Sequence, residues 1–146
     1  MAMFLNDEFA LLPYSYSRDV ACIDHAKSMI FKVIDIRSRR EAGELALRIG
    51  ESPCMFYLGH IGYHIDPPYR GRNGAYQACR LAEPLLRDMG LRTLVITTDD
   101  DNLPSIRTCE KLGCELECTV DVPIAIQREY ENSFRKRRYI WKIPEA

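Results

Sequence analysis

Ile61-Gly-Tyr-His-Ile-Asp-Pro-Pro-Tyr-Arg-Gly-Arg-Asn-Gly-Ala75, with the residues that follow it, decides how this chain folds. Tyr57 to Ile65 is rich in strand formers and interrupted by Gly59 and Gly62, so it reads as a strand. Pro67 and Pro68 end it, because neither can donate to a ladder. Arg70 to Ala75 is a short basic loop containing Gly71, Asn73 and Gly74, residue types that tolerate positive φ. Behind it, Ala78, Leu81, Ala82, Leu85, Leu86 and Met89 fall at i, i+3, i+4, i+7, i+8 and i+11. That is an apolar stripe along one helix face, and Gly90 is placed as its left-handed terminator. The arrangement puts free backbone N–H groups of a helix N-terminus beside Arg70 and Arg72, which suits an anion and phosphate best. The loop is neither G-x-G-x-x-G nor G-x-x-x-x-G-K-[ST]: no lysine follows the second glycine, and no Ser or Thr is placed to hold magnesium.

Downstream, Leu91 to Thr98 is a β-branched run read as a buried strand, so strand, helix and strand make a parallel right-handed crossover. Asp99-Asp-Asp-Asn102 ends it at the place where open α/β sheets bind ligands, although such a run is more often a solvated turn. Pro104 to Leu112 is a short helix closed by Gly113. Cys114 to Val122 is a strand, Arg128 to Asn132 a loop, and Arg135 to Ile143 the last strand. Its Arg135–Arg138 run reads as an exposed edge rather than a nucleic-acid patch. Upstream, Ser28–Ile36 and Gly43–Ile49 alternate and pair as a hairpin; Gly50 to Pro53 is a turn, and Met55 to Ile65 is the next strand. In the first 28 residues, Leu5–Leu12 fits a short strand or a helical turn, Pro13 interrupts it, and Tyr14 to Ser17 reads as loop. The order is β-β-β-α-β-α-β-β, an α/β or α+β fold with a mixed sheet and helices on its faces.

With 146 residues, 47% hydrophobic and 28% charged, one globular domain over residues 1–146 is expected. A net charge of −1 supplies no field for nucleic acid or a membrane surface. Cys22, Cys54, Cys79, Cys109, Cys114 and Cys118 contain no C-x-x-C pair, and neither a signal peptide nor a long apolar run is apparent. A cytoplasmic protein with reduced, buried thiols is the expectation. His25, His60 and His64 do not combine with these cysteines in a zinc-ligand spacing, so no metal is expected.

The pattern Arg70-x-x-Asn73-x-Ala75 resembles the acyl-CoA pyrophosphate loop of the GNAT superfamily of CoA-dependent N-acyltransferases, written Gln/Arg-x-x-Gly-x-Gly/Ala. Asn73 stands where the first glycine is usual, a tolerable change in the left-handed region. Asn102-Leu-Pro-Ser-Ile-Arg-Thr-Cys-Glu-Lys-Leu-Gly113 is similar to a second segment of that family, Asn-x-x-Ala/Ser-x-x-x-Tyr-Glu-Lys-x-Gly. The resemblance runs in order from Ile61 to Gly113. It implies a GNAT-like, mostly antiparallel sheet whose central parallel pair splays to admit CoA, with a reduced N-terminal helical part.

The resemblance also implies roles. Backbone N–H groups of Gly71, Arg72, Asn73, Gly74 and Ala75 would hold the CoA pyrophosphate, with charge from Arg70 and Arg72. Pantetheine would pair with the backbone of Tyr63 and Ile65, where an N–H could polarise the thioester carbonyl. Asn102 and Ser105 would bond the pantetheine arm, although Asn102 is equally readable as a helix N-cap. Cys109 replaces the tyrosine that commonly protonates the departing thiolate. It is an acid candidate with an unperturbed pKa of about 8.5, or a small buried hydrophobe. His60 and His64, on one face of the strand, are base candidates; singly, each is better read as satisfying a backbone group. The implied activity is direct transfer of an acetyl group from acetyl-CoA to a primary amine on a small molecule or peptide, and a homodimer is an assembly the resemblance allows. The alternatives are an acyl-CoA-binding or sensing module without turnover, and a phosphate-binding nucleotide domain.

Overall fold

The alternating stretches on either side of Arg37 fold against each other, with Lys27 opposite Ile49 and Asp35 opposite Arg40. Phe31 and Val33 of one strand and Leu45 and Leu47 of the other are buried together, as their spacing requires. The structure is a computed structural model describing residues 4–17, 27–130 and 134–146; Cys22 and His25 lie outside them. Its strands are β1 (Phe4–Leu5), β2 (Phe9–Ser17), β3 (Lys27–Asp35), β4 (Arg40–Ile49), β5 (Ile61–Ile65), β6 (Thr93–Asp99), β7 (Glu115–Asp121) and β8 (Arg135–Lys142). They form one sheet in the order β1-β2-β3-β4-β5-β6-β8-β7. Its neighbours are antiparallel except β5 and β6, which run parallel across the crossover helix.

Helices α1 (Pro53–Leu58), α2 (Gly74–Asp88), α3 (Leu103–Lys111) and α4 (Ile124–Tyr130), with a single 3-10 turn at Pro67–Tyr69, complete the described elements. The apolar stripe of α2 puts Ala78, Cys79, Ala82 and Leu86 on the sheet, and α3 adds Ile106 and Cys109. They cover Leu11, Phe31, Leu45, Leu47, Ile61, Leu94, Ile96, Tyr139 and Trp141 in one continuous core. α1 lies on the opposite face. Its Phe56 ring sits 3.8 Å from the guanidinium of Arg138, whose neighbours Tyr139 and Trp141 point into the core. Gly90 (φ 75) and Gly113 (φ 80) follow α2 and α3 in the left-handed conformation, as their positions predict. Among the described residues, no helix is long and apolar enough to cross a membrane.

The structure differs from the sequence reading in four places. Tyr14 to Ser17 is not loop but the end of β2, and Pro13 is accommodated by a register shift between Pro13 and Ser15. Met55 to Leu58 is helix rather than strand: Ser52 Oγ accepts from Met55 N at 3.2 Å, Pro53 opens the first turn, and Gly59 (φ 76) ends it. These capping signals outweigh the β propensity of Phe56 and Tyr57. Arg128 to Tyr130 belongs to α4, which is started by the Pro123 carbonyl accepting from Ile126 and Gln127 at 3.0 Å each. β8 is an interior strand, not an edge. Its basic run is matched across the ladder by Lys136–Asp99 at 2.7 Å, Arg137–Asp100 at 2.8 Å and Arg138–Glu117 at 2.7 Å. The same pairs take up two members of the acidic run that read as a solvated turn. Residues 4–17 hold β1 and β2, and the rest of the segment in which a reduced helical part is expected lies outside the described residues.

Candidate functional site

β5 and β6 share a single ladder position, Ile61 opposite Ile96, and diverge beyond it. Just before it, His60 clamps both backbone groups of Val95. The His60 N–H donates to the Val95 carbonyl at 2.8 Å, and the Val95 N–H donates to His60 Nδ1 at 2.9 Å. Nδ1 therefore presents a lone pair, the ring proton lies on Nε2, and Nε2 donates to Glu51 Oε1 at 2.7 Å. With both nitrogens engaged, the ring satisfies a backbone group, the second of its two readings.

Past this pivot the strands enclose a cleft of about 220 Å³. Strand alternation aims Tyr63 and Thr98 at the α2/α3 side and Gly62, Thr97 and Asp99 at the α1 side, so the cleft passes through the sheet. On the α1 side Arg48 crosses over Gly62: a Cβ there would fall 2.8 Å from Arg48 Nη2, so a larger residue would have to push the guanidinium aside. Arg48 Nη1 is held by the carbonyls of Leu58 and Gly59 at 3.2 and 3.3 Å. On the other side Asn102 Oδ1 accepts from Ser105 N at 3.3 Å, the N-cap of α3. The Ser105 hydroxyl lies 2.8 Å from the Tyr63 hydroxyl.

The basic loop leads from the end of β5 into α2. Gly71 (φ 86) and Asn73 (φ 55) are both left-handed. The first helical bond runs from Gln77 N to Asn73 O at 2.9 Å, so the N–H groups of Gly74, Ala75 and Tyr76 have no partner within the helix. Gly74 is packed onto β5: a Cβ would meet Ile65 Cδ1 at 3.2 Å. Arg70 arches back, its Nε donating to the Ile65 carbonyl at 2.8 Å. Arg72 turns the other way, 2.9 Å from Asp35 Oδ1 and 3.4 Å from Glu8 Oε2, over the Phe9 ring at 4.6 Å. Hydrogen bonds from Ser38, and then Arg72, hold the Asp35 carboxyl below its ordinary range. The charge expected of Arg72 at the loop is thus largely offset by two carboxylates, and its guanidinium ties the loop to the sheet.

His64 is exposed, with Nε2 3.1 Å from Asp66 Oδ1, and the rings of His60 and His64 bond different partners rather than forming a pair. Cys109 is fully buried. A hydrogen bond with the Cys114 thiol, and then burial, push its thiol pKa upward, which weakens it as an acid. Its sulfur lies 3.9 Å from the Tyr63 hydroxyl. The side chains of Tyr63 and Thr98 are functional candidates that motif reading missed. The available signal was alternation, which puts Tyr63 on the same face as Ile61 and Thr98 on the same face as Ile96.

The chain matches the family model described as an acetyltransferase (GNAT) domain over residues 14–115. No curated protein matches it in sequence. Among solved structures it is similar to a GNAT-family acetyltransferase from Bacillus anthracis, with 22% identity and a TM-score of 0.62, covering 80% of this chain and 67% of that one. The chain thus spans about two thirds of that neighbour's length. A putative GNAT-family acetyltransferase from Bordetella pertussis is 17% identical with a TM-score of 0.69, covering 97% of this chain and 99% of its own. A ribosomal L7/L12 alpha-N-protein acetyltransferase in complex with coenzyme A is 15% identical with a TM-score of 0.70, covering 97% of this chain and 98% of its own. At these identities the likeness is one of fold.

Proposed function

Because the chain belongs to the GNAT acetyltransferase family, we propose that it binds acetyl-CoA and moves the acetyl group to a primary amine by direct attack in a ternary complex. The observation that carries this reading is the opening between β5 and β6 combined with the free N–H groups at the start of α2. Gly71 to Ala75, with Arg70, hold the pyrophosphate through backbone N–H groups and charge. The arm lies in the cleft against the backbone of Tyr63 and Ile65, near Asn102 and Ser105. Since the cleft passes through the sheet, the acceptor approaches from the side of Arg48, Asp99 and Lys136. The neutral amine nitrogen attacks the thioester carbonyl and forms the carbon–nitrogen bond, the carbon–sulfur bond breaks, the nitrogen gives up one proton and the departing thiolate takes one up, so that amide and free thiol leave with no net change in protons. Holding both reactants in line supplies much of the acceleration, because the thioester is already activated. A coenzyme A complex among the structural neighbours supports the donor assignment. The acceptor is a small-molecule or peptide amine, and the whole chain works as one cytoplasmic acetyltransferase domain.

Thermal melting with acetyl-CoA, CoA, ATP and NAD tests the donor. At about 100 times its dissociation constant a ligand adds roughly 2.7 kcal/mol, so the CoA species raise the midpoint by about 5–10 °C. No shift with CoA, or a larger one with ATP or NAD, rejects the assignment. Cys109→Ser keeps the transfer rate within about threefold, because a buried thiol bonded to its neighbour acts as packing. A loss of a hundredfold or more, with folding intact, would instead make it the acid. The second reading, a donor-binding module without turnover, is favoured by the engaged His60 ring and the weakened Cys109 acid. CoA binding without turnover across an amine panel would establish it.

A further inference from the structure

We infer that the Thr98 hydroxyl is a donor-binding group, hydrogen-bonding a carbonyl oxygen of the acyl donor's arm inside the cleft. Thr98 lies near the end of β6 and only 2% of its surface is exposed. Its Oγ1 has no hydrogen-bond partner among the described residues. A buried hydroxyl without a partner destabilises the fold, whereas valine, of nearly the same shape, does not. Thr98 nevertheless lines the cleft, at the level of Tyr63 and beyond the last ladder pair of β5 and β6. The neighbouring polar side chains on this wall already make contacts within the protein. Tyr63 and Ser105 share a hydrogen bond at 2.8 Å, and Asn102 Oδ1 accepts from Ser105 N at 3.3 Å. Thr98 therefore differs from them: its hydroxyl faces the opening, is buried and has no partner among the described residues. A polar group left unsatisfied in a buried wall of a binding cleft fits a ligand that supplies the missing acceptor. Two independent observations have to coincide here: Trp141 Nε1 is equally unpartnered but does not line the cleft, and it carries no such role.

The inference rests on the CoA reading above, and its test separates the two. Unliganded Thr98→Val and Thr98→Ser are melted beside the wild type, and calorimetry then measures their binding of CoA and of acetyl-CoA. Thr98→Val without ligand melts roughly 2–4 °C higher than wild type, because the orphaned hydroxyl is gone. It binds the donor about tenfold more weakly, while Thr98→Ser stays within about threefold. Equal weakening toward CoA and acetyl-CoA assigns the contact to an amide carbonyl of the arm; weakening toward acetyl-CoA alone assigns it to the thioester carbonyl. If wild type binds CoA and Thr98→Val binds both ligands equally well, the inference is overturned. It is overturned too if unliganded Thr98→Val melts lower, since the hydroxyl would then be bonded within the protein. Failure of the wild type to bind CoA defeats the donor assignment itself.

Discussion

Asn73→Val removes most of the affinity for CoA, while Asn73→Gly leaves it intact or slightly tighter. Asn73 stands at φ 55 and ψ 36, immediately before the first residue of α2. Glycine visits that region freely and asparagine tolerates it, but a β-branched side chain collides with its own backbone there. The strain is about 1–3 kcal/mol, and the loop can relieve it only by rotating out of the left-handed conformation. That rotation re-aims the peptide planes of Asn73 and Gly74, whose N–H groups belong to the proposed pyrophosphate cradle. If binding restores the native loop, the strain appears as about a 5- to 150-fold loss in CoA affinity. Calorimetric titration reads it, and a melting curve of the unliganded variant shows that the fold survives. Full CoA affinity in Asn73→Val would mean that the anion is bound elsewhere.

The conformation of the loop before α2 was legible because it is set by residues in the loop itself: glycines, an asparagine and a preceding Pro-Pro act within a few bonds. The stripe of α2 and the terminators Gly90 and Gly113 were legible for the same reason. Features that depend on distant partners were not. Arg72 looks like loop charge until β3 brings Asp35 to 2.9 Å. Arg135–Arg138 looks like an exposed edge until β6 and β7 flank it with Asp99, Asp100 and Glu117. α1 is a different case, because the Ser52-Pro53 start and the Gly59 stop were local and readable. The aromatic pair Phe56-Tyr57 weighed toward strand, and a helix of 6 residues shows too little periodicity to correct it. For His60 and Cys109 the sequence could only offer paired readings. The contacts that bear on them depend on the positions of Val95 and Cys114, set by the parallel pairing and by the turn after α3.

His60→Ala lowers the melting temperature and slows transfer without removing the acidic limb of the pH–rate profile. The variant keeps the backbone bond to the Val95 carbonyl but deletes the ring acceptor of the Val95 N–H. Val95 is buried, so that donor is left unsatisfied at a cost of about 1–3 kcal/mol, equivalent to roughly 2–12 °C in melting temperature. The bond sits one residue before the only ladder pair joining β5 to β6, so its loss loosens the pivot from which the cleft opens. The donor's KM therefore rises together with a fall in kcat, as for a group that positions the walls of the site. A general base acts differently: its removal erases the acidic limb, because no imidazole remains to be protonated. His60 is poorly disposed for that work, since protonating Nδ1 would turn a ring N–H against the Val95 N–H. His60→Gln can place an amide oxygen near the vacated acceptor position and recovers part of both losses. An unchanged melting temperature in His60→Ala would remove the pivot role, and disappearance of the acidic limb would restore His60 as the base.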